Sequence, residues 1–124
     1  MEAVWRPGPR RHNIAEIVVH CAYWKYAIRR RIRGDKRGSF ALSGSNWFAL
    51  PAKLNDAEWK RYVRLLEDEH AALREAIETG HWSSLCLTKT GVGTQVAEHV
   101  YGAAMHDVYH AGQIQTLKAL YKSR

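Results

Sequence analysis

The stretch from Gln95 to Tyr121 reads as one long helix, and no other feature limits the fold so strongly. At about 100° per residue, Val96, His99, Ala103, His106, His110, Gln113, Ile114, Leu117 and Tyr121 share one broad face. The opposite face, with Tyr101, Met105, Val108, Gly112 and Ala119, is also largely uncharged. A helix apolar on two sides has to be buried on two sides. Three helices can hardly do that for one of their own number, so either something is missing or a partner covers the second face.

Two more helices precede it. Trp5-Arg6-Pro7-Gly8-Pro9 keeps residues 1–12 extended as an N-terminal arm. Asn13 with Glu16 three residues on makes a capping box for a helix from Ile14 to Arg33, ended by Gly34. Ile14, Ile17, Cys21, Trp24, Ile28 and Ile32 form its apolar stripe, with His20 on the flank. Asn55 and Glu58 repeat the capping pattern, and Leu54 with Trp59 supplies a hydrophobic staple for a helix to Thr79, stopped at Gly80. Trp59, Tyr62, Val63, Leu66, Leu73 and Ile77 make its buried stripe, and His70, interrupting it, is expected to face inward. Residues 34–54 form a connection long enough to need a job. Its Phe40, Leu42, Trp47, Phe48 and Leu50 argue that it packs on the body as a crossover. Positions 81–93 read as irregular, with Thr94 capping the last helix. The pattern is all-α and bundle-like, one domain over 1–124 with three long helices.

Composition narrows the setting. No apolar run approaches the roughly 18 residues of a membrane span, and the N-terminus lacks the apolar core of a signal peptide, so no membrane and a cytoplasmic location are expected. Cys21 and Cys86 have no metal or redox spacing and read as buried free thiols. The net charge of +7 concentrates at Arg6, Arg10 and Arg11 and in the run Arg29 to Arg37. The second cluster fits cations at a helix C-terminus. No nucleic-acid motif accompanies the charge, so a nucleic-acid partner is not expected.

The chemistry-bearing residues are histidines. His106 and His110 lie about 40° apart around the last helix and roughly 6 Å along it, a spacing at which two imidazoles reach one ion. Two ordinary hydrogen-bonded histidines give the same pattern. The Glu of the H-E-x-x-H protease motif is absent, since Asp107-Val108-Tyr109 fills the gap. A di-iron site is short of Glu-x-x-His units, because only Glu67-Asp68-Glu69-His70 matches. His20, at the core edge of the first helix beside Trp24, is the best third ligand. His99 reads as a half-buried histidine, and His12 and His81 as loop residues in solvent.

The run His106-Asp107-Val108-Tyr109-His110-Ala111-Gly112-Gln113-Ile114 resembles the terminal-helix motif of the DinB/YfiT-like family. Asn13-Ile14-Ala15-Glu16-Ile17-Val18-Val19-His20, preceded by Trp5-Arg6-Pro7, resembles its second-helix motif. The resemblance implies a metal-binding four-helix bundle with a histidine triad, here His20, His106 and His110. It implies a divalent metal such as zinc, nickel or iron, and a small-molecule substrate. Relatives of this type include transferases and isomerases that use low-molecular-weight thiols, and dimers are frequent. Members begin with a helix before the Trp-Arg-Pro stretch, and this sequence shows none. The vacant position is expected to be missing or filled by a partner chain, with a homodimer favoured by the two-sided last helix.

Two functions follow. One is a divalent-metal-dependent transferase or isomerase, with Trp24, Trp47, His70 and Gln113 lining the substrate pocket. The other is a non-enzymatic metal-binding or interaction module on the same scaffold.

Overall fold

Two asparagines decide where the first two helices begin. The Asn13 side-chain oxygen accepts from the Glu16 amide at 2.9 Å, while the Glu16 carboxylate accepts from the Asn13 amide. Asn55 and Glu58 do the same at 2.9 and 2.8 Å. Each pair satisfies two amide donors that an unfinished first turn leaves open. The computed structural model describes residues 1–80 and 92–124, with the side chains of 92–96 left aside. Helix α1 spans Ile14–Arg33, α2 spans Asp56–Thr79 and α3 spans Val92–Ser123. No strand occurs among the described residues, so the chain is all-α as expected.

Three boundaries carry information. Gly34 ends α1 in the left-handed region at φ 73°, which glycine enters without steric cost. Gly80 ends α2 in an extended conformation instead, at φ −70°. Helix α3 starts at Val92, ahead of the Thr94 cap suggested by the sequence. A lone glycine inside a helix costs only about 1 kcal/mol, so Gly93 does not stop it. His81 and Cys86 lie outside the described residues. The arm is not extended throughout, because Glu2–Val4 forms one 3-10 turn with Ala3 buried.

Helix α1 is the middle of the molecule. Every residue from Ile14 to Ala22 is buried, so two and more turns are covered all round. Helix α2 packs along one side and α3, less extensively, along another. The arm and the crossover cover what remains. Val4 and Trp5 from the arm and Phe40, Leu42, Trp47, Phe48 and Leu50 from the crossover join the core around Ile17 and Val19. The crossover therefore packs on the body, as its aromatic content requires.

Within this chain α1 is covered on two sides and α3 on one, which agrees with a two-sided last helix whose second face the other helices do not cover. Ala103, His110 and Leu117 of α3 are buried. Its other face is open: Tyr101 is 77% exposed, Met105 and Val108 67%, and Tyr109 63%. Helix α2 buries its expected stripe: Tyr62 and Leu73 are buried, and Trp59, Val63, Leu66 and Ile77 half-buried. The covered side also takes in Ala76 and half-buried Glu69, which pairs with Arg29 of α1 at 3.1 Å. His70, expected to face inward, is exposed at the far edge of that side, which is centred on Tyr62, Glu69 and Leu73.

Candidate metal centre

Three imidazoles from two helices meet on one side of α1. His20 Nε2 lies 2.9 Å from His106 Nε2, and His110 Nε2 lies 3.0 Å from the same atom. The three are 5% exposed, half-buried and 5% exposed in that order. His106 and His110 come from successive turns of α3, and His20 comes from the fully covered part of α1.

The outer nitrogens explain why the inner ones converge. His20 Nδ1 is 2.9 Å from the Asn46 backbone carbonyl, which can only accept, so Nδ1 carries the ring proton. His110 Nδ1 is 2.7 Å from Gln113 Oε1, again an acceptor, and donates to it. Gln113 is held in turn by donating to Tyr109 Oη at 3.1 Å. Both Nε2 atoms are therefore bare lone pairs aimed at the Nε2 of His106. One ring proton on His106 cannot satisfy two acceptors well. A cation in the middle satisfies all three. Tetrahedral nitrogen ligands at about 2.0–2.1 Å would stand about 3.3 Å apart, so the rings need to open by only tenths of an ångström. Imidazoles anchored through their outer N–H are the usual support for a bound ion.

Electrostatics favour the unprotonated state a ligand needs. Burial first, and then the charges of His110, His106 and His12, push His20 down to about 4, although its bond to Asn46 works the other way. Burial and His110 also lower His106. A second group of donors, Cys21, His106 and Asp107, lies within reach of one point as well. Its chemistry is poorer. Burial, helped by Asp107, pushes the Cys21 thiol up to about 12, so it holds its proton. Asp107 is already paired with the buried Lys25. The His20, His106 and His110 set is the one the donors support.

Aromatic rings enclose it. Trp47 stacks on His20 at 3.8 Å and 8°, and His12 stacks on the far face of that indole at 3.6 Å and 3°. Trp24 stands edge-on to His20 at 6.4 Å and donates its indole N–H to Asn46 Oδ1 at 2.9 Å. The structure thus brings Trp24, Trp47 and Gln113 to the triad. His70, expected in the pocket, is on the exposed side of α2 and lines none of the cavities, for the reason given above.

With this geometry in view, one comparison is decisive. A family model described as the DinB superfamily matches residues 2–114. The chain belongs to the DinB superfamily. Comparison with curated proteins and with solved structures gives no match.

This DinB chain uses several residues that sequence reasoning passed over. Asn46 positions His20 through a main-chain carbonyl and sits at φ 63°. No side-chain pattern announces a carbonyl, though asparagine is among the few residues that enter that region readily. Lys25, 6% exposed, reaches across to Asp107 beside the triad. Arg6 binds both oxygens of Glu16, which also accepts from His12 Nδ1 and the Asn13 amide. Burial pushes the Glu16 carboxyl up, but these donors, Arg6 foremost, leave it below its ordinary value. The Trp-Arg-Pro segment of the DinB chain thereby locks the arm to the start of α1, and His12 with it.

Two cavities flank the DinB triad. One of about 250 Å³ lies over Cys21, Trp24, Lys25, Ala103 and His106. The other, about 670 Å³, opens between the arm and α3 over Trp47, Tyr109, His110 and Gln113.

Proposed function

We propose that this protein is a divalent-metal-dependent enzyme in which His20, His106 and His110 hold the ion and a small molecule reacts beside it. The carrying observation is the pair of Nε2 lone pairs, on His20 and His110, fixed by Asn46 and Gln113 to face the Nε2 of His106. Three neutral nitrogens leave positions open, which suits catalysis better than a closed structural site. Histidine ligands suit zinc, nickel or iron. A bound divalent ion supplies Lewis-acid activation of a thiol or oxygen donor.

The chain's own residues do the rest. Trp24 and Trp47 keep water from two sides of the triad and hold His20 in place. Gln113 fixes the proton of His110 on Nδ1 and so keeps its Nε2 available. Thiol-dependent transfer or isomerisation is the reading the family resemblance favours, with a low-molecular-weight thiol as cosubstrate. It is tested by assaying metal-loaded protein against a panel of thiols and electrophiles. Turnover abolished by a chelator and restored by the metal is expected. Metal binding without any turnover would leave the non-enzymatic module.

The open face of α3 favours a second element of this reading, a homodimer. Four large residues exposed by more than 60% on one helix are unusual for a monomer surface. Substituting Val108→Asp should shift the mass in solution from two chains to one. A wild-type mass of a single chain would contradict the dimer.

A further inference from the structure

The larger cavity carries a pattern that the metal centre does not need. It runs from His110 and Gln113 to the arm, where Arg10 and Arg11 line it. No acidic residue lines it. Glu16, the carboxylate at the arm's base, is already engaged by both guanidinium nitrogens of Arg6, by His12 and by the Asn13 amide. Among the described residues no ion pair or hydrogen bond engages the exposed guanidinium of Arg10 or of Arg11, whose main-chain carbonyl accepts from Arg6, whereas Arg6, Arg29, Arg33 and Arg74 each hold a carboxylate. Arg10 also adopts φ 57°, a left-handed conformation that costs a non-glycine residue energy. Two uncompensated guanidinium groups on a cavity wall create a positive field that selects anions. Their planar forks match oxyanions. Ile17, Leu117 and Trp47 add an apolar stretch of wall.

We infer that this cavity binds the oxyanion end of the small molecule whose other end reaches the metal centre, with Arg10 and Arg11 as the recognition residues. The ligand class is a short molecule with a donor atom at one end and a carboxylate or phosphate-type group at the other. The inference rests on the metal-centre reading and deepens it.

The test uses the full chain loaded with Co(II) and three thiols of similar length: 2-mercaptoethanol, 3-mercaptopropionate and 2-mercaptoethylphosphonate. Binding is read from the thiolate-to-cobalt absorption. At least one anionic thiol should bind ten-fold or more tightly than the neutral one, and which one does so separates carboxylate from phosphate-type ligands. That preference should vanish in the R10A/R11A double variant and partly return in R10K/R11K, with Co(II) content unchanged throughout. Equal affinity for all three overturns the anion site. A wild-type chain that takes up no Co(II) overturns the metal centre instead. The same thiols are then titrated into metal-free protein, with amide shifts at Arg10, Arg11 and Gln113 followed by NMR. Shifts confined to the anionic thiols uphold the anion site, and their absence overturns it.

Discussion

His20 shows how a side chain near the core edge is made ready to serve as a ligand. Its proton is held on Nδ1 by the Asn46 carbonyl, its face is covered by Trp47, and burial keeps it neutral. With the folded value near 4 and an ordinary value of 6.5, the unfolded chain binds the extra proton between those limits and the folded chain does not. Stability from this group is complete above about pH 6.5 and is lost as pH falls toward 4. Denaturant melts of metal-free protein should show that decline, and the His20→Phe variant should flatten it. Gln113 makes a separate prediction. Gln113→Ala removes the partner of His110 Nδ1 together with the bond to Tyr109 Oη, and support of the first kind is worth about 10–100-fold in metal affinity. Competition with a chelating dye would measure it, and an unchanged affinity would show that the glutamine does not support the ligand. Spacing made His106 and His110 candidates and the core-edge position made His20 the third, while the family motif favoured all three over ordinary hydrogen-bonded histidines. Asn46 was invisible because it holds His20 through its backbone carbonyl.

At the level of elements, local signals proved the most readable. Both capping boxes form, and α1 begins and ends at the residues expected. Asn13→Ala should cost about 1 kcal/mol, since it leaves a first-turn amide without its acceptor; urea melts would read this directly. The buried side of α2 was less legible. An apolar stripe cannot reveal that a charged residue, Glu69, faces inward because Arg29 of α1 waits for it at 3.1 Å. His70 is exposed, since the covered side of α2 is centred on Tyr62, Glu69 and Leu73. Arg29→Ala leaves a half-buried carboxylate unpaired, and a loss of about 3 kcal/mol is expected by thermal or urea unfolding. A near-neutral result would mean that Glu69 escapes to water and that the apolar contacts alone set the orientation of α2.

Over the whole molecule, the helical class was legible and the placement of the most buried helix was not. Hydrophobic periodicity reports which faces avoid water, but not whether the chain itself covers them. Helix α1 has polar residues enough to look half-exposed, yet Glu16, His20 and Lys25 are all buried because each has found a partner. Helix α3 looks two-sided and keeps one side open. Among the described residues no helix is long and apolar enough to cross a membrane. The arrangement also puts the triad on the closed side of α3, where arm and crossover meet it, with Tyr109 bridging to the open side through Gln113.

The central claim is that His20, His106 and His110 hold one ion together. Elemental analysis of purified protein, wild type beside the H20A/H106A/H110A variant, tests it most directly, with circular dichroism confirming that the variant remains helical. About one divalent first-row metal ion per wild-type chain, and almost none in the folded variant, is the predicted result. Equal metal content in the two would contradict it.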